Sequence, residues 1–293
     1  MPVQEVPTRT RTLRIAVLEC DAPPDKINHK YGGYYGVFSK FLRESADALV
    51  QAEAKANDGL WRDDYGGGDD DDDSIVPQLD ISRWDVVAEQ AYPALEDVDA
   101  IVVSGSKRNA FDSPPWILTL VEFIQRALAP GTTPHIRILG VCFGHQIVAR
   151  ALGMSVARNP AGWKIAVCLV ELTRAGKEVF GVERVNIHQM HRDAVVVAHP
   201  TESEINLKNS EIEILPLGHS AICSVQGLYA PGRFLTVQGH PEFTADIIEE
   251  IIAVRAAQDV FDAEQAADAL GRAGMKHDGV LVGVAFLKMV MEL

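Results

Sequence analysis

Positive charge is scarce in this sequence. Its 293 residues hold 27 lysines and arginines against 41 aspartates and glutamates, a formal net charge of −14. An acidic chain repels phosphate backbones, so nucleic acid is excluded as an expected partner. Long apolar runs are missing too. No stretch approaches the ~18 uninterrupted apolar residues of a membrane span, and no apolar segment precedes a small-residue cleavage site near the N-terminus. Cysteine is sparse: Cys20, Cys142, Cys168 and Cys223 form no CxxC pair, which argues against a disulfide framework and against paired metal motifs. The sequence contains no internal repeat and no P-loop signature. What remains is 47% hydrophobic and 23% charged residues, the balance of a soluble globular protein. A cytoplasmic protein with neither nucleic acid nor membrane as partner is expected.

The acidity is concentrated in one place. Between Asp58 and Asp73, eight aspartates and one arginine leave −7, half of the total. Five consecutive aspartates after three glycines cannot pack together, so 58–74 is expected to be a disordered surface loop rather than a cation cage. Around it the apolar pattern marks crossover units. Residues 13–18 (LRIAVL) read as a buried strand, and a Tyr/Gly-rich turn is expected over 31–36. Apolar positions at Phe38, Phe41, Leu42, Ala46, Leu49 and Val50 then predict a helix over 37–56. Strands follow at 84–89 and 100–103, a helix at 116–128, a strand at 136–141 and a helix at 144–152. Strands separated by helices of this length predict an α/β fold with a central, mostly parallel sheet.

Beyond Gly153 the segments turn strand-like at 165–172, 194–198, 222–229 and 234–238, the last two joined by the Pro-Gly turn APGR. Helices return at 244–258, with Thr244 as N-cap, then at about 262–272 and 279–291. The expected organisation is a tail over 1–12, one domain over 13–258 and a helical extension over 259–293.

The most informative stretch is ILGVCFGHQIVARALG (138–153). A strand runs into Gly-x-Cys-x-Gly and a helix starts directly after it, the thiol counterpart of a nucleophile elbow. Gly140 and Gly144 allow the tight turn. Cys142 sits at its apex above the carboxyl edge of the sheet, where the following helix N-terminus favours the thiolate. A thiol nucleophile needs a base held by a third group. His240, in FLTVQGHPEF (234–243), follows a strand, and Glu242 lies two residues on; in an extended segment both face one side, so the carboxylate can accept from the ring. The remaining histidines read more plainly. His188 and His191 lack a third ligand at metal spacing, and His145 suits packing or hydrogen bonding. Cys20, Cys168 and Cys223 read as ordinary buried thiols. Trp163 suits a pocket wall or the core equally well.

GVCFGHQ (140–146) together with QGHPEF (238–243) resembles the class I glutamine amidotransferases, in motif order as well as in residues, over about 13–255. The resemblance implies a flavodoxin-like α/β domain with helices on both faces of the sheet. It makes Cys142 the nucleophile, His240 the general acid and base, and Glu242 its orienter. It places an oxyanion turn at VVSGSKRNAFD (102–112), so that backbone N–H groups of Ser106 and Phe143 receive the oxyanion. Gly105, Gln146, His191 and Asp193 then fall where the family contacts its substrate, the last two in HQMHRD (188–193). The chemistry implied needs neither metal nor organic cofactor.

The family's Gly-Gly-Pro turn is Gly105-Ser106-Lys107 in this chain, and GVCFGHQ with GHPEF is similar to a stand-alone subgroup. That subgroup resembles GMP synthase glutaminase domains and includes plant γ-glutamyl peptidases. Three readings stay open: a glutaminase passing ammonia to a separate synthetase, a stand-alone γ-glutamyl peptidase acting on glutathione or its conjugates, and a non-enzymatic regulator. The first two share a small-molecule γ-glutamyl substrate, and an intact Cys-His-Glu set speaks against the third.

Overall fold

The computed structural model describes residues 9–58, 75–129, 131, 136–196 and 213–292. In chain order the first half holds β1 (Arg9–Glu19), α1 (Asp25–Tyr31), α2 (Gly33–Asp58), β2 (Ile75–Asp85), β3 (Ala100–Val103), α3 (Pro115–Leu128), β4 (Arg137–Val141) and α4 (Phe143–Ala151). The small strands and their helix follow: β5 (Ser155–Arg158), β6 (Lys164–Leu172), α5 (Arg174–Phe180), β7 (Arg184–His191), β8 (Asp193–Val196), β9 (Leu215–Pro216) and β10 (Gly218–His219). The chain closes with β11 (Gly227–Ala230), β12 (Phe234–Val237), α6 (Ala245–Ala257), α7 (Ala263–Ala273) and α8 (Gly279–Met291).

The main sheet runs β2-β1-β3-β4-β12-β11-β9. Its pairs from β2 through β12 are parallel; the hairpin at 230–233 makes β11 and β12 antiparallel. The central strands β3, β4 and β12 are buried along their whole length, as a parallel sheet covered on both faces requires. Alternation along β1 divides the core. Leu13, Ile15 and Val17 face the layer of α2, α6 and α8, whereas Ala16 and Leu18 face α3 and α4. Two smaller sheets, β10-β6-β7 and β5-β8, complete the strands, and β7 reaches the segment after β12 through a His188–His240 bridge. Among the described residues no helix is long and apolar enough to cross a membrane, and no group of three or more His, Cys, Asp or Glu is gathered as a metal site.

Several boundaries differ from the expectation, each for a local reason. β1 starts at Arg9, inside the expected tail, because β2 extends alongside it from Ile75. The strand expected over 84–89 is β2 instead. Leu79 and Ile81 are buried while Gln78 and Asp80 are exposed, and Pro77 is tolerated because β2 is an edge strand. The Tyr/Gly turn is mostly helix. Only Gly32, with φ 76°, turns the chain between α1 and α2, and Gly33 to Gly36 already belong to α2. The strand expected over 222–229 shortens to β11, because 220–223 closes on itself through the Ser220–Cys223 bridge. Thr244 precedes α6, but its hydroxyl meets the Asp246 carboxylate at 2.5 Å and caps no backbone N–H. The acidic segment 59–74 lies outside the described residues, as do 197–198 of the expected strand over 194–198.

The C-terminal helices pack into the core. Gly283 on α8 lets Ser45 of α2 approach so closely that a Cβ would come 1.9 Å from its Oγ. Phe286, fully buried, meets Phe41 edge-on with centroids 6.4 Å apart. Phe286→Ala is therefore expected to lower the unfolding free energy by about 3–5 kcal/mol in urea titrations, whereas truncation of a peripheral helix would leave it nearly unchanged.

Candidate active site

Four segments meet at the carboxyl edge of the sheet, where open α/β folds place their sites. They are the turns after β1, β3 and β4, and the segment after β12. Cys142, between β4 and α4, has φ 52° and ψ −101°, a conformation L side chains rarely adopt. It is held there from both sides: its N–H donates to Val237 O at 2.9 Å, and its carbonyl accepts from Gln146 N at 3.1 Å. The flanking glycines are required by close approach. A Cβ on Gly144 would lie 2.1 Å from Val103 O, and one on Gly140 would lie 2.8 Å from the Thr236 methyl and 3.0 Å from the Gly144 backbone. Such backbone strain costs on the order of 1–3 kcal/mol and persists only where the surroundings over-determine it.

His240 is fixed on all sides. Nδ1 pairs with Glu242 Oε1 at 2.7 Å, and its backbone N–H donates to His188 O at 2.7 Å. The Phe243 ring stacks on the imidazole at 3.9 Å and 10°. Against the ring edge lies Gly105, where a Cβ would fall 2.8 Å from His240 Cε1 and 3.8 Å from the Cys142 Cβ. Any side chain at 105 would push the His240 ring away from Cys142. Glu242 is buried, and its Oε2 has no partner among the described residues.

Burial alone would lower the His240 pKa, but the Glu242 carboxylate and the Cys142 sulfur outweigh it and push it up to about 10. Burial instead pushes His145 and His188 down to about 3 and His191 to about 4, so these stay neutral. One imidazole of this cluster holds a proton at neutral pH, and it is the one beside the thiol.

Ser106 follows Gly105 on the turn after β3. Phe143 is the first residue of α4, so its N–H has no acceptor within the helix. The other sequence-predicted residues are also gathered here, with differing freedom. Gln146 is buried, and its Nε2 donates to Asp193 O and to Gln238 Oε1, both at 3.0 Å. The Asp193 carboxylate pairs with Arg158 at 2.5 Å. His191 Nδ1 lies 3.0 Å from Asp193 O, and its buried Nε2 has no partner among the described residues. His145 pairs with Thr236 Oγ1 at 2.9 Å behind the elbow. Of the other thiols, Cys20 and Cys223 are buried; Cys168 is half-buried and accepts from Arg272 Nη1 at 3.1 Å.

Two cavities open onto the pair. One, of about 210 Å³, is lined by Cys142, Gln146, His191 and Asp193. The other, of about 680 Å³, is lined by His240, Tyr34 and the Pro23–Pro24 loop. Ser106, Lys107, Met190, Arg255 and Val260 line both. Trp163 forms part of the smaller cavity's wall, with Arg192 5.1 Å and Arg255 4.7 Å from its ring. Burial lowers the pKa of Arg255. No motif in the sequence marks Arg255; its one signal is a single cation late in an apolar helix.

The chain matches the family described as glutamine amidotransferase class-I over residues 75–253. It is 32% identical over 282 residues to a glutamine amidotransferase-like protein of Schizosaccharomyces pombe, covering 95% of this chain and 98% of that one. It is also 32% identical over 201 residues to gamma-glutamyl peptidase 4 of Arabidopsis thaliana, covering 64% and 72%. Among solved structures, a glutamine amidotransferase from Thermotoga maritima shares the fold with a TM-score of 0.59 at 16% identity, covering 95% of this chain and 98% of that one. The chain belongs to the class I glutamine amidotransferase family.

Proposed function

We propose that the protein is a cysteine-dependent γ-glutamyl amide hydrolase in which Cys142 is the nucleophile, His240 the acid and base, and Glu242 its orienter. The thiolate attacks the γ-carbonyl carbon, a C–S bond forms, and the carbonyl electrons move onto oxygen. Backbone N–H groups of Ser106 and Phe143 receive that oxyanion; one such donor is worth on the order of 3 kcal/mol in related chemistry. As the oxyanion collapses, the C–N bond breaks and His240 gives its proton to the leaving amine. A γ-glutamyl thioester remains. Water then loses a proton to His240 and attacks the thioester, and C–S cleavage releases the glutamate carboxylate and restores the thiolate.

The reading rests on one observation. A thiol at a positive-φ elbow and a buried histidine made cationic by its own carboxylate stand together where a reacting atom could enter. The two cavities favour a peptide as substrate. The leaving group departs on the side of the histidine that protonates it, and His240 lines the larger space, about 680 Å³. Ammonia needs almost none of that volume. The amine half of a γ-glutamyl peptide fills it, with Arg255 on the wall for a carboxylate.

Purified protein assayed with glutamine, glutathione and an S-substituted glutathione is expected to hydrolyse the peptides with the higher kcat/KM. Glutamine turnover seen only when a second protein is added would assign ammonia transfer to a separate synthetase instead. Cys142→Ala is expected to abolish hydrolysis while keeping a cooperative unfolding transition; turnover by that variant would overturn the mechanism.

Glu242→Gln removes the charge that raises His240. The ring's titration, followed by NMR of labelled histidine, should move down toward 6.5, and kcat should fall on the order of 10⁴-fold, less than in His240→Ala. The sign carries over to stability. Because the folded value lies above the ordinary 6.5, the His240 proton stabilises the fold fully below about pH 6.5, and that contribution is lost as pH rises toward 10. Thermal melts across that range should show the decline in the wild type and a flatter profile in Glu242→Gln.

A further inference from the structure

The turn that carries Gly105 and Ser106 is fastened from outside. Asp21, just past the end of β1, accepts the backbone N–H of Lys107 on Oδ2 at 2.9 Å, and Oδ1 pairs with Lys107 Nζ at 2.9 Å. The Ser106 hydroxyl lies 3.5 Å from the same Oδ2 and accepts from Arg108 N at 3.1 Å. One residue back, Cys20 N donates to Ser104 Oγ at 2.9 Å, and that hydroxyl donates to Gly105 O at 3.1 Å. The Asp21 side chain is 12% exposed, whereas that of Lys107 is 61% exposed. The structure thus holds a nearly buried carboxylate on the peptide one residue past the Ser106 N–H that would receive a developing negative charge. Left alone, that carboxylate would oppose the oxyanion; the Lys107 ammonium offsets it.

We infer that Asp21 is a positioning residue for the oxyanion turn, orienting the Ser106–Lys107 peptide through its bond to Lys107 N–H, and that Lys107 neutralises it there. The inference rests on the hydrolase reading above and adds to it a residue from the first βα loop. The topology makes this possible. β1 and β3 are neighbours in the sheet but are separated in the chain by α1, α2 and β2, so the loops after β1 and β3 meet at one edge. A donor displaced by about 1 Å can cost on the order of 10²-fold in rate.

The test uses the full chain with whichever of glutamine and glutathione it hydrolyses faster, and a second readout, alkylation of Cys142 by iodoacetamide followed by mass spectrometry. Alkylation needs the thiolate and His240 but no oxyanion hole. Asp21→Ala is expected to lower kcat about tenfold or more, with KM and the alkylation rate little changed. Asp21→Asn, which keeps an acceptor for Lys107 N–H, is expected to retain most of the activity. Lys107→Ala leaves the carboxylate uncompensated and should lower kcat, and adding Asp21→Asn should restore it toward the level of Asp21→Asn alone.

A kcat for Asp21→Ala within twofold of wild type overturns the positioning role. A parallel fall in turnover and alkylation overturns it as well, by marking Asp21 as a fold residue. A double variant no more active than Lys107→Ala overturns the charge-balancing role. Turnover that persists in Cys142→Ala would instead overturn the hydrolase reading itself, so the two failures are distinguishable.

Discussion

The site hangs on one residue held in a backbone conformation it would not choose alone. Cys142 can keep φ 52° because β4 and β12 pair beneath it, because Gln146 N closes on its carbonyl, and because two glycines let neighbouring backbone pass where a Cβ would collide. The strain buys a geometric result: the thiol stands at the start of α4, above the sheet edge, next to the His240 imidazole that follows a different strand. The same crowding explains the glycine at 105. The turn after β3 must pass within contact distance of both Cys142 and His240.

Electrostatics then separates like from like. Four buried histidines lie within or behind this region, and burial drives three of them to neutrality. His240 differs through a carboxylate two residues along its own chain and a sulfur opposite. The carboxylate two residues on and the sulfur opposite together decide which imidazole is cationic. Desolvation magnifies the effect, since a charge pair shielded from water interacts more strongly than one exposed to it. The dry side of the site depends in turn on the C-terminal helices. Gly279, the first residue of α8, packs against the carbonyl of Pro241, between His240 and Glu242.

Much of this was legible before any coordinates. Helix α3 and helix α8 follow apolar periodicity closely, because packing against the sheet demands an apolar face or a fully apolar segment. The elbow and the His-x-Glu pair were legible for a related reason: their chemistry is local, with the reacting group and its geometry written within a few consecutive residues. Short or edge elements were not. β2 carries Pro77, which argues against a strand in the sequence, and its identity as a strand comes from β1 beside it. α1 and α5 have seven residues each and no strong pattern.

Sequence by itself determined the α/β architecture and the family, because parallel strands and close-packed turns permit few residue types at each position. It also singled out a thiol, a histidine and a carboxylate, since a strained turn and an i, i+2 pair are properties of adjacent residues. Tertiary structure alone decided what surrounds them. Gln146 and Asp193 are committed to Gln238 and Arg158, Arg255 reaches the cavities from a helix more than a hundred residues beyond the elbow, and Asp21 grips the turn after β3. Each of these contacts joins segments distant in the chain. The order of strands in the sheet brings them together, and no local pattern of residues encodes that distance.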